Sequence, residues 1–393
     1  MSLLVVDHAL PTPDRDAGSA YTFSHLQILS GAGFDVTFLA EGADPDDPYA
    51  RALTSLGVRV PEVADDEAVL GAVDRLAPRS DVALLYRGPV AAQVLDRIRG
   101  VAQSTKVVFL PVDLHHVRMA REAAVASYDL AATDQMRKLE LQLVTGADAT
   151  IVVSTSEREL LEASVPGARV HTVPLLQDTP RRPASDTARR RARRALNRLG
   201  PLGRWINSRE ASLRRRQDIV FLGGFAHSPN VDAMHWFVGY VLPHVRAAGV
   251  GNRFVIAGYA IPESVAGLAR DDIAVVGHVP DLADLFAGAR MSVVPLRIGA
   301  GFKGKIVTSM SLGVPTVSTL VGAEGGGLVD GHDILIADEP EAMAEHIVRL
   351  SRDDALWQDL SEAAYDTFRT RFSHEAGRGQ LISIVRELAS SGR

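Results

Sequence analysis

The sequence predicts an α/β protein made of two doubly wound parallel-sheet domains. Three observations carry this. Short apolar runs alternate with helical stretches along most of the 393 residues. The alternation stops at about Asp178 and resumes at Asp218, giving two units of similar size. In the second unit four strands run directly into Gly or Pro, as carboxyl-end loops of an open α/β sheet do, and ligands bind at that edge. The length agrees, because one hydrophobic core stops growing well before this size.

In chain order, Leu3–Val6 is a buried parallel strand closed by Asp7. A loop rich in Pro, Asp and Gly, Pro11–Ser19, leads into a helix over Ala20–Ser30 that Gly31–Gly33 stops. Phe34–Leu39, Val82–Tyr86, Val107–Val112, Ala149–Val153 and Val170–Val173 are further strands. Helical stretches lie between them, for example Arg118–Thr145 and Ser156–Glu162, the latter with Ser154 and Ser156 as caps. The second unit has strands at Ile219–Leu222, Phe254–Ala257, Ile273–Val276, Met291–Val294, Pro315–Ser318 and Ile334–Ile336. The expected division is an N-terminal domain over 1–178, an Arg-rich linker or insertion over 179–217 and a C-terminal domain over 218–372. A last helical segment, 373–393, is able to pack back on the N-terminal domain.

Composition narrows the function. Apolar residues make up 46% of the chain, enough for packed cores. There is no cysteine, which excludes disulfide scaffolds, thiolate zinc sites and cysteine nucleophiles. No apolar run approaches the roughly 18 residues of a membrane span. The first residues, MSLLVVDHALPTPDRD, lack a basic n-region. A cytoplasmic location is expected, with a peripheral position on the inner face of the plasma membrane as a variant of it.

Three loops carry candidate chemistry. Gly299-Ala-Gly-Phe-Lys-Gly-Lys305 lies between a strand and a helix at Ile306–Leu312. Its glycines let backbone amides approach a ligand, the helix N-terminus favours an anion, and Lys303 and Lys305 add charge. It is not a P-loop, because Ile306 stands where the motif's Ser or Thr would follow Lys305, so it reads as a phosphate or diphosphate site or as a tight turn with two solvated lysines. Gly223-Gly224-Phe-Ala-His227-Ser-Pro-Asn230 is a second strand-to-helix transition. It suits a polar ligand, or else Ser228 or Asn230 is simply a helix cap. In Val112-Asp113-Leu-His115-His116, Asp113 can orient an imidazole and a histidine can act as base or donor. Adjacent histidines point different ways in regular structure, so at most one serves the site. No third ligand is spaced for a metal.

Together these residues resemble the family 4 glycosyltransferases of the GT-B fold. The C-terminal half carries Phe221-Leu-Gly-Gly-Phe-Ala-His-Ser-Pro-Asn-Val-Asp232, Gly277-His-Val-Pro-Asp281, Val294-Pro-Leu-Arg-Ile-Gly-Ala-Gly301, Lys305, Gly313-Val-Pro315 and Gly322-Ala-Glu-Gly325. The N-terminal half adds Pro13-Asp-Arg-Asp-Ala-Gly-Ser19, Val112-Asp-Leu-His115, and Ile151-Val-Val-Ser154 with Glu157. The resemblance implies two Rossmann-like domains facing across a cleft and a retaining, metal-independent transfer with no cofactor. A nucleotide-diphosphate sugar would sit mainly on the C-terminal domain, and a glycan or lipid-linked acceptor on the N-terminal one. Asp113, His115 and Lys305 are the implied catalytic residues. The implied donor contacts are Gly18, Gly224, His227, Asn230, His278, Val279, Asp281, Gly299, Gly301, Phe302, Lys303 and Thr308, with Val279–Asp281 near the base.

Two departures stand out. Where the family often has two glutamates eight positions apart, this chain has Ala300 and Thr308. It also lacks the common Arg…Lys pair after the first C-domain strand, where His227 and Asn230 stand. A catalytically weak or inactive module that binds a sugar nucleotide or a partner transferase is therefore the alternative reading.

The net charge of −6 hides a division. Residues 181–216 hold 13 Arg against two acids, a charge of +11 that leaves −17 for the rest. The run Arg189–Leu199 places alanines and leucines on one helical face and arginines on the other, and Trp205 follows. This fits docking on anionic lipid, where each Arg contributes roughly 1 kcal/mol. A solvated linker and a nucleic-acid contact remain the other readings, the last not expected for this family. Neutralising the arginines of 189–194 is expected to abolish co-sedimentation with anionic liposomes; unchanged binding would exclude docking.

Overall fold

The structure, a computed structural model, describes residues 1–123, 130–178, 216–299 and 301–391. The Arg-rich run 181–215 and Ala300 lie outside these residues. The first sheet contains β1 (Ser2–Val6), β2 (Asp35–Leu39), β3 (Val82–Tyr86), β4 (Lys106–Leu110), β5 (Ala149–Val152) and β6 (Val170–Thr172). Its order is β2-β1-β3-β4-β5-β6, and every pairing is parallel. The second contains β7 (Asp218–Leu222), β8 (Phe254–Ala257), β9 (Ile273–Gly277), β10 (Ala289–Val294), β11 (Thr316–Ser318) and β12 (Leu335–Ile336). Its order is β12-β11-β10-β7-β8-β9, again all parallel. This is the α/β, GT-B arrangement expected from the sequence.

Parallel strands are buried on both faces, so they read as continuous apolar runs. β3, Val-Ala-Leu-Leu-Tyr, is buried at all five positions. β4 stops at Leu110, two residues short of the apolar run. Pro111 has no N–H for the ladder, and Val112 takes φ 72°, outside strand geometry. β10 starts two residues earlier than its apolar run, at Ala289, and includes Arg290. That buried guanidinium donates through Nε to the Leu350 carbonyl at 2.7 Å.

Two helices between β2 and β3, Pro48–Ser55 and Asp66–Leu76, begin after aspartate caps at Asp47 and Asp65. The predicted helix over Arg118–Thr145 is described as His115–Ala123 and Leu130–Gly146, with 124–129 outside the description. Ser154, not Ser156, caps the Thr155–Ser164 helix. Arg216, the last residue of the basic run, donates to the Phe286 and Ala289 carbonyls and lies 5.5 Å from the Trp357 ring. It is committed to the C-terminal fold. The final helix, His374–Ser390, is capped by Ser373 and packs on the N-terminal Ala17–Gly31 helix, where His374 bonds Ser24 at 2.7 Å. Gly377 lies against Leu176, leaving no room for a Cβ. Among the described residues no helix is long and apolar enough to cross a membrane.

Candidate functional site

Each sheet reverses its strand order at one point, and a crevice opens there at the carboxyl ends. In the first sheet that point lies between β1 and β3. Asp7, just after β1, accepts a two-oxygen contact from the Arg87 guanidinium just after β3, 2.6 Å to Oδ2. Arg87 has φ 62°, an uncommon conformation for a residue with a side chain. A Cβ at Gly18 would lie 2.7 Å from the Arg87 guanidinium. A larger residue there would have to push the guanidinium aside.

In the second sheet the reversal lies between β7 and β10. The loops after these two strands hold the predicted anion site. Lys305 donates to Asn230 Oδ1 at 2.6 Å, and its ammonium lies 4.2 Å from the centre of the Phe221 ring. Asn230 in turn donates to the Gly224 carbonyl at 2.7 Å. Neither Ser228 nor Asn230 caps the Ser228–Trp236 helix, whose N-cap is His227 without a side-chain bond. The Gly304–Ser311 helix likewise begins at Lys303 with no side-chain cap. Its first amides and the two lysines therefore share one end. Burial, with Lys303 nearby, lowers the Lys305 pKa to about 7. Burial lowers Lys303 to about 8, and the Glu324 and Asp113 charges partly offset it. Lys303 donates to the Gly301 carbonyl at 2.5 Å.

The N-terminal domain faces this end directly. Asp113 pairs with His115 Nε2 at 3.1 Å, and Arg118 Nε lies 3.2 Å away as an ion pair. Burial favours its neutral form, but the His115 bond and the Arg118 charge outweigh it and hold Asp113 below the usual carboxylate range. His116 instead pairs with the buried Glu140, so only His115 faces the cleft partner. Burial and the Arg118 charge hold the His227 pKa below the usual histidine value. Glu157 is buried under the same loop. Burial and the Asp113 charge raise its pKa to about 7 against the Ser154 hydroxyl.

Direct contacts cross between domains. Arg121 donates to the Gly299 carbonyl at 2.6 Å and to both oxygens of Glu324. Asp14 pairs with His278 at 3.3 Å, and the Arg15 guanidinium lies 5.4 Å from the Tyr49 ring and 5.0 Å from the Tyr259 ring. The Gln177 amide donates to the Thr308 hydroxyl at 3.1 Å, and that hydroxyl also donates to the Gly304 carbonyl at 3.1 Å.

The structure thus gathers Gly18, Asp113, His115, Gly224, His227, Asn230, Gly299, Gly301, Lys303 and Lys305 along two facing loop edges. His278 reaches the rim through Asp14, with Val279 beside it. Asp281 is exposed and caps the Leu282–Ala287 helix, accepting from the Ala283 amide at 2.8 Å. Phe302 turns away from the cleft and packs on Phe372, ring centres 5.0 Å apart. Arg87, Arg118, Arg121, Glu157 and Glu324 were not singled out for site roles. His115, Arg118 and Arg121 recur at helical spacing of three, a signal that could have marked one face. Among the described residues no group of three or more His, Asp or Glu is placed to hold a metal ion.

Residues 216–353 match the family described as group 1 glycosyl transferases. An uncharacterised 44.6 kDa protein in the cps region of Klebsiella pneumoniae is 24% identical over 179 residues, covering 43% of this chain. The match spans 45% of that curated relative, less than half its length. Sucrose-phosphate synthase from Thermosynechococcus elongatus superposes with a TM-score of 0.70 at 16% identity, over 100% of both chains. HepE of Anabaena, solved with UDP-glucose, gives 0.70 at 13% identity, over 98% of this chain and 100% of its own. The chain thus has the GT-B fold, with two facing Rossmann-like domains, and its residues 216–353 are similar to the group 1 glycosyl transferases.

Proposed function

We propose that the chain transfers a sugar from a nucleotide-diphosphate donor to a polysaccharide or lipid-linked acceptor, with retention and without a metal ion or cofactor. The observation that supports this best is the lysine end of the Gly304–Ser311 helix. An ammonium whose pKa burial lowers to about 7 and whose partners among the described residues, Asn230 and Phe221, are neutral is suited to an anion. A diphosphate would take up the uncapped amides and both lysines together. HepE, with its UDP-glucose complex, gives the donor class a precedent within the fold.

In such a transfer the bond from the sugar C1 to the diphosphate breaks, and the acceptor oxygen bonds C1 on the same face. The acceptor proton passes to the departing diphosphate oxygen. Lys305 would stabilise the charge that develops on the leaving group. Asp113, kept ionised, would hold the His115 ring against the reacting sugar. Residues 181–216 would hold the enzyme on an anionic inner membrane surface from the cytoplasmic side. One observation favours the weaker alternative, a binding module. The Thr308 hydroxyl is already engaged by Gln177 and Gly304, so it offers a ribose less than a carboxylate would.

Lys305→Ala is expected to lower turnover at least tenfold, about 1.4 kcal/mol of transition-state stabilisation, in a variant with native thermal midpoint. Native turnover in a folded variant would remove Lys305 from the site. The pH dependence follows from the lysines. A bound diphosphate favours their charged forms, so affinity is full below about pH 7 and falls as they lose protons. Titrating UDP-glucose between pH 7 and 9 is expected to show about tenfold weakening, reduced in Lys305→Met, where only Lys303 still titrates. A flat native profile would contradict the assignment.

A further inference from the structure

Glu157 carries a feature that helix capping does not use up. Ser154 and Glu157 form the reciprocal turn that starts the Thr155–Ser164 helix, with the Glu157 amide donating to Ser154 Oγ at 3.2 Å. Carboxylate oxygen Oε2 accepts from Ser154 Oγ at 3.0 Å and from the Val153 amide at 3.2 Å. Oxygen Oε1 is buried and has no partner at hydrogen-bonding geometry, although the Leu114 amide lies near enough to the carboxyl group to favour its charged form. Leaving such an oxygen unsatisfied is costly, and a native structure that tolerates the cost calls for an explanation such as a functional role.

The surroundings say what could satisfy Oε1. It faces Gly301, which has φ 65° and lies on the loop next to the two lysines. A Cβ at 301 would sit 3.2 Å from Oε1, 3.8 Å from Asp113 Cβ and 3.8 Å from Val153 Cγ2. The neighbouring cations are engaged: Lys303 donates to Gly301, and Arg121 to Glu324 and Gly299. A phosphate would be repelled by Asp113 and Glu157 and drawn toward Lys305. The complement of Oε1 is a neutral O–H donor, placed between the diphosphate end and the Asp113–His115 pair. Oε1 is buried against the Gly301 loop, so a ligand reaches it only if that loop moves.

We propose that Glu157 is a specificity-determining residue that accepts a hydrogen bond from one hydroxyl of the transferred sugar. This rests on the donor-site reading above. A site built to bond a hydroxyl rejects the analogue lacking it far more strongly than an apolar pocket can.

The test is calorimetric binding to the full chain. UDP, GDP, UDP-glucose, UDP-N-acetylglucosamine and GDP-mannose are titrated first, and the tightest nucleotide sugar is followed by its singly deoxygenated analogues. In the native protein, removal of one hydroxyl is expected to weaken binding at least tenfold. In Glu157→Ala the same removal should cost less than twofold, with Glu157→Gln in between. Affinity for the parent nucleoside diphosphate should stay within twofold in both variants. Ser154→Ala weakens the cap but keeps the carboxyl, so it should retain the native discrimination.

Equal hydroxyl costs in native and variant proteins would overturn the proposal. So would loss of discrimination in Ser154→Ala, or a parallel loss of nucleoside diphosphate affinity in Glu157→Ala. Nucleoside diphosphate binding with no hydroxyl preference in the native chain would sink the proposal alone. No nucleotide binding at all would sink the donor-site reading with it.

Discussion

The arrangement depends on one constraint: a lysine ammonium is held beside a helix N-terminus with neutral partners among the described residues. Lys305 meets an amide oxygen and an aromatic face, and the nearest charge acting on it is another lysine. Both the helix end and the ammonium are positive, so the region is electrostatically incomplete without an anion. The fold puts this region at the sheet's reversal point, where the loops after β7 and β10 converge. It also turns the region toward a second sheet whose own reversal point is closed by the Asp7–Arg87 ion pair.

The opposing face is built to match. Asp113 is kept ionised by His115 and Arg118, while Glu157, only a loop away, is pushed the other way by burial. Two carboxyl groups with diverging environments suit different tasks: one holds an imidazole as a charge, the other presents an acceptor oxygen in a water-poor place. Arg121 ties the Gly299 loop and Glu324 to the N-terminal domain, so the anion end and the Asp113 end are held in register.

Much of the fold was legible because parallel strands, buried on both faces, leave short apolar runs, and the Gly and Pro that follow them separate these from buried helix segments. β3 and β8 coincide with their runs, and the misses have local causes, such as Pro111 ending β4 early and Arg290 hidden inside β10. The two helices before β3 carried readable aspartate caps and one apolar face each, with Leu53 and Val69, Ala72 and Val73 turned inward. The site was legible where its parts are contiguous, as in Gly299–Lys305. It was not legible where the chemistry joins distant residues. Arg121 and Glu324 are 203 positions apart, and Gln177 and Thr308 are 131 apart. The strained turns at Arg87 and Val112 have no local signature either, because side-chain residues there follow ordinary strands. Phe302 shows the opposite error: it sits inside a binding motif, yet its ring serves the core.

The central claim is that the lysine end of the Gly304–Ser311 helix receives a diphosphate. A crystal structure of the full chain with UDP tests it most directly. The account predicts the β-phosphate within hydrogen-bonding distance of Lys305 Nζ and of the first amides of that helix. A diphosphate bound elsewhere, with Lys305 still on Asn230 and Phe221, would contradict it.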